Sequence, residues 1–141
     1  MFAPALGIPA EFHRRNLCRL RLKQVYRALE AYANDHQGEF PDGLWQLWDN
    51  GYVHSGRVFL CPSVHSTDSV RAKNSQELRS GMGRDYVYFP PSAVHRNGVS
   101  YVLVMDKPPN HSGYGLALYN DGKIRAFVGE TWWSRIGSQP E

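Results

Sequence analysis

The sequence contains no uninterrupted apolar run of the ~20 residues that a membrane-spanning helix needs, so no segment of it reads as a transmembrane span. Cysteine is scarce. Cys18 and Cys61 are the only two, and neither stands in a spacing that holds zinc or runs thiol exchange, which leaves a single disulfide or two buried thiols as the open readings. A strong charge of one sign is also missing. The formal net charge of +3 gives no argument from overall balance for a nucleic-acid partner. No Ser or Cys occupies a nucleophile-elbow context, Gly81-Met82-Gly83 is too short for a phosphate loop, and His13, His36, His54, His65 and His95 are scattered without ligand spacing. No reaction is specified, and the chain is expected not to be an enzyme.

A length of 141 residues suits one domain with one core. A hydrophobic fraction of 42% against 21% charged residues excludes disorder as the main state. The 13 Gly and 9 Pro imply many turns. Residues 1–10 are broken by two prolines and read as an N-terminal extension or the remnant of a longer segment. From 11 to 37 the sequence predicts one long helix, with Cys18, Leu22, Val25, Leu29 and Tyr32 recurring at steps of four and three. Gly38 and Pro41 stop it. A short helix is predicted over 42–50, with Asp42 as its cap and Leu44, Leu47 and Trp48 on one face. The polar stretch 63–83 reads as a surface loop.

An antiparallel sheet is predicted over 85–128. Strand signals cover 85–89, 99–105, 114–119 and 123–128, the last two joined by Asn120-Asp121-Gly122, whose Asp-Gly pair suits a tight hairpin turn. The fold class is therefore α+β: a long N-terminal helix on a small antiparallel sheet. Trp132 and Trp133, in the aromatic tail 129–141, are expected to pack on the body or on a neighbouring subunit.

Two constellations remain. Arg14, Arg15, Arg19, Arg21, Lys23 and Arg27 place six of the 16 basic residues within fourteen positions, with no acidic residue between them. They read as a solvated helix face or as a contact for an acidic subunit surface, anionic lipid or nucleic acid. Asp106, Asn110, His111 and Asp121 are the groups a hairpin could gather. The turn chemistry of Asn and Asp accounts for them without a cofactor, and if an ion binds, the oxygen-rich set suits calcium better than zinc, which needs further His or Cys ligands.

Four segments, in order, resemble the prepilin-type, type IV pilin-like (pseudopilin) proteins of planctomycete-like bacteria. They are Asn16-Leu17-Cys18 through Tyr32-Ala33-Asn34-Asp35, then Gly38-Glu39-Phe40-Pro41, then Phe59-Leu60-Cys61-Pro62-Ser63, and finally His111, nine residues, and Asp121-Gly122. Lys123 stands where the family often carries a second His. The resemblance implies a pilin-like fold and a structural, non-catalytic subunit of an extracellular filament, pseudopilus or secretion assembly in the cell envelope. Its partners would be copies of itself or other pilin-like subunits, with the membrane reached through an apolar segment missing from this sequence. The alternative is a pilin-like binding module that recognises a polymer such as DNA through the basic helix face. An extracytoplasmic setting further implies a Cys18 to Cys61 bridge, closing a loop of roughly 40 residues at a gain on the order of 4 kcal/mol.

Overall fold

The computed structural model describes residues 10–62, 71–90, 100–111 and 113–136. Helix α1 spans Ala10–Asp35, with the side chains of residues 11–14 outside the described set. The predicted stripe is the buried one: Cys18, Leu22, Val25 and Leu29 are fully enclosed and Tyr32 nearly so. The helix stops two residues earlier than predicted. Gln37 and Gly38 take left-handed backbone angles, and the Gly38 amide donates to the Ala33 carbonyl at 2.8 Å, closing the last turn.

Helix α2, Trp45–Asp49, is shorter than the predicted 42–50, and Asp42 does not cap it. The Gln46 side chain does that work instead. Its Oε1 accepts from the amides of Asp42 at 2.6 Å and Gly43 at 3.3 Å, so the orphan donors ahead of the helix are satisfied from inside it. A 3-10 turn follows at Gly56–Phe59. The expected loop 63–83 is corrected in its described part by helix α3, Ser75–Ser80; residues 63–70 lie outside the described set. Asn74 Oδ1 accepts from the Glu77 amide at 2.9 Å while Glu77 Oε1 accepts from the Lys73 amide at 2.8 Å, a reciprocal cap that starts the helix. Its one buried residue, Leu78, joins Leu44 and Leu47 in the core under α1.

Strands β1 (Tyr86–Tyr88), β2 (Val102–Asp106), β3 (Tyr114–Tyr119) and β4 (Ile124–Val128) form one antiparallel sheet in the order β1-β2-β3-β4. The chain is α+β, as the sequence predicts. The β3–β4 turn also matches: Gly122, at φ 89°, supplies the left-handed residue of a three-residue loop. Between Val102 and Val104 the register shifts by one residue against β3, a bulge in β2.

Both central strands are buried along their whole length because the sheet is covered on both faces. Leu103, Val104, Leu116 and Leu118 meet α1, whereas Val102, Met105, Ala117 and Tyr119 meet Trp132 and Ile136. Trp132 lies in a 3-10 turn, Trp132–Arg135, directly over Gly115. A Cβ on Gly115 would stand 1.9 Å from its ring, so the strand needs glycine there to admit the indole. Trp132 is thus a core residue of its own chain and is corrected as a subunit contact; Trp133 remains 37% exposed.

Candidate functional site

On the α1 side, at the end of the sheet where β2 finishes and β3 begins, four separate segments converge. Helix α1 supplies Cys18 from its buried stripe. Cys61 follows the Gly56–Phe59 turn, which Ser55 caps by accepting from the Arg57 amide at 3.1 Å. Two hydrogen bonds lock that segment to β1: the Cys61 amide donates to Asp85 Oδ2 at 2.8 Å, and the Asp85 amide donates to the Phe59 carbonyl at 3.0 Å. Arg21 of α1 adds a clamp from above, donating to the carbonyls of Arg57 and Leu60. Asp106 ends β2, and its Oδ2 accepts from the Leu116 amide of β3 at 2.8 Å. A 3-10 turn at Pro108–Asn110 then presents His111, with Asn110 Nδ2 donating to the Asp85 carbonyl at 2.6 Å.

The polar atoms meet at short range. Cys18 Sγ and Cys61 Sγ are 3.0 Å apart, His111 Nε2 lies 3.7 Å from Cys61 Sγ, and the same nitrogen lies 3.3 Å from Asp106 Oδ2. The two sulfurs and an imidazole nitrogen all fall within 4.8 Å of one another. The side chains of His111 and Asp106 are sealed from solvent. Burial by itself pushes the imidazole toward neutrality, but the Asp106 carboxylate and Cys18 outweigh it and raise the His111 pKa to about 9. The His111 ring stacks on Tyr114, with centroids 4.4 Å apart, and the Arg15 guanidinium covers Tyr114.

Asp106 Oδ1 and the Tyr86 hydroxyl, both buried beside this cluster, have no hydrogen-bond partner among the described residues. Burial, then the neighbouring Cys61 and Asp106, push the Tyr86 phenol well above its ordinary pKa, so it stays protonated as a donor. An orphaned acceptor and an orphaned donor at nearly complete burial are costly in an otherwise apolar core.

Several expectations are corrected here. The cysteines are brought together, yet they form no disulfide, since 3.0 Å is about 1 Å beyond a covalent S–S bond. The oxygen-rich calcium set does not assemble. Asp106 and His111 are neighbours, but Asp121 is exposed in the β3–β4 turn, a strand length of roughly 20 Å away, and the Asn110 amide is engaged with the Asp85 backbone. Cys18 and Cys61 take the places that Asp121 and Asn110 were expected to hold.

The basic face of α1 is only partly a solvated one. Arg14 has its side chain outside the described set. Arg15 covers Tyr114, Arg19 reaches the Ile124 carbonyl at 3.5 Å, and Arg21 clamps the 3-10 turn, because these positions flank the core stripe and their long stems fold down onto the body. Lys23 and Arg27 alone of the described members are exposed. With them, Leu17 and Leu20 are exposed at 37% and 56%, off the buried stripe. Beside the helix runs a groove of about 680 Å³ lined by Arg21, Arg27, His54, Arg57 and Arg71, with no carboxylate among its lining residues. No helix among the described residues is long and apolar enough to cross a membrane. No family model, curated protein or solved structure matches this chain. The site therefore rests on its own geometry.

Asp85, Tyr86 and Tyr114 were not singled out in the sequence. A signal existed for the carboxylates: Asp85 and Asp106 each adjoin a strand of apolar and aromatic residues, where a buried acid must be paired.

Proposed function

We propose that the chain is a structural, non-catalytic subunit of a pilin-like assembly in the cell envelope, joined to copies of itself or to related subunits through the outer face of α1. The observation that carries this reading is the exposure of Leu17 and Leu20 on a helix that already buries a complete apolar stripe elsewhere. At 100° per residue Leu20 stands nearly opposite the core-facing line, one turn from Lys23 and two from Arg27. An apolar centre flanked by exposed cations suits a partner surface of apolar and acidic residues. The thiol and imidazole cluster fits a structural role as well, since it is buried inside the subunit and ties the helix to the sheet.

Sedimentation velocity and electron microscopy across a concentration series test the proposal. Concentration-dependent association or ordered fibres are expected, dispersed by Leu20→Asp with no change in the far-ultraviolet circular dichroism. A strict monomer at every concentration overturns it.

The groove lined by four arginines favours a second reading, a binding module for an anionic polymer such as DNA. A monomer whose DNA affinity falls steeply with salt, and falls further in Arg27→Ala, selects that reading over assembly.

A further inference from the structure

We propose that Cys18, Cys61 and His111 bind one zinc ion, with the Asp106 carboxylate beside His111 available to complete the tetrahedron, and that the ion fastens α1 to the sheet. The inference does not depend on how the subunit assembles.

Geometry comes first. Around a tetrahedral zinc, ligand atoms about 2.0 to 2.3 Å from the metal stand about 3.3 to 3.8 Å from one another. The ligand atoms of Cys18, Cys61 and His111 lie within 4.8 Å of one another, with His111 Nε2 3.7 Å from Cys61 Sγ, and Asp106 Oδ2 stands 3.3 Å from the same nitrogen. The sulfur pair, at 3.0 Å, must open by about 0.8 Å to reach the spacing of two zinc thiolates, a displacement of about 0.4 Å for each side chain. The donor chemistry agrees. Two sulfurs and an imidazole suit zinc and not calcium, which takes six to eight oxygens.

The surroundings supply a second observation. Asp106 is fully buried, with Oδ1 unpartnered while Oδ2 is oriented by the Leu116 amide, and the unpartnered Tyr86 hydroxyl is available to donate to a thiolate. On binding, Cys18 and Cys61 each release a thiol proton and the His111 imidazolium releases its Nε2 proton, all to solvent, so that Nε2 coordinates as a neutral donor. With three buried ligands gathered and the buried Asp106 carboxylate next to them, the site presents no exposed face to a substrate, which marks it as structural. The three gathered ligands come from positions 18, 61 and 111 on separate segments, so the ion would act as a cross-link between the helix and two further pieces of the chain.

Reduced, metal-free protein is titrated with cobalt(II) and then with zinc(II). The expected result is one cobalt per chain, with intense visible bands of a tetrahedral site and a near-ultraviolet thiolate charge-transfer band, both erased by stoichiometric zinc. In the wild-type chain, zinc should protect both thiols from alkylation and a chelator should expose them. Asp106→Asn should weaken zinc by about tenfold or more, and Cys18→Ser should lower the charge-transfer band by about half or more, leaving at most the Cys61 thiolate. Absence of cobalt uptake by the folded, reduced wild type overturns the site. So does uptake without thiolate charge transfer, or zinc that leaves alkylation of the wild-type thiols unchanged.

Discussion

The two ends of β3 carry the same kinds of residue and put them to opposite uses. At its start, Asp106 and His111 are sealed in the core against Cys61 and beneath α1, and their polar contacts are removed from water. At its end, Asn120, Asp121 and Gly122 turn the chain at the surface. Asp121 Oδ1 accepts from the Lys123 amide at 3.0 Å, and Asn120 exchanges hydrogen bonds with the backbone of Tyr101. An aspartate in the turn is a local backbone strut, whereas one in the core fixes charge at a distance from its own sequence neighbours. Residue type is shared between the ends; burial decides the chemistry.

The contrast can be broken most forcefully at the buried end. Asp106→Ala removes the partner of His111 and of the Leu116 amide together, and should cost about 3–5 kcal/mol of unfolding free energy in urea titrations. A loss below 1 kcal/mol would show that the carboxylate is not paired in solution. A somewhat smaller effect is expected from pH, in protein held metal-free with chelator. Because His111 is raised to about 9, from an unfolded value of about 6.5, its contribution is fully present below about pH 6.5. It declines as pH rises through 9, by about 3 kcal/mol in total. Denaturation of the wild type and of His111→Gln across pH 6 to 10 measures it, and parallel curves would show that the imidazole is not held as a cation. At the exposed end, Gly122→Ala should cost about 1–2 kcal/mol. The residue sits at φ 89°, and a Cβ would come within 2.9 Å of the Tyr26 ring. A neutral result there would mean that the turn relaxes freely.

The stripe on α1 was legible because it is periodic and local: all five of its residues are buried in the positions that their spacing dictates. The β3–β4 hairpin was legible for the same reason, since Asp121-Gly122 sets the turn within its own few residues. Helix α3 was missed because Leu78 is its only buried apolar residue, too little for periodicity; Asn74 and Glu77, at capping spacing, were the available clue. The cluster was half legible. Cys18 and Cys61 are adjacent, as their pairing implied, but the arrival of His111 beside them depends on where β2 ends against α1. No local spacing encodes that meeting, and residues 50 positions apart become neighbours only through the tertiary fold.

The extra residue in β2 acts as a phase shifter for everything after it. Leu103 and Val104 both turn toward α1, which sends Met105 to the Trp132 layer and returns Asp106 to the helix side. Were the strand regular from Val102 onward, strict alternation would swing the carboxylate under the indole and leave His111 and the thiols facing a methionine. One irregular step in a five-residue strand therefore selects which of the two hydrophobic layers receives the anion.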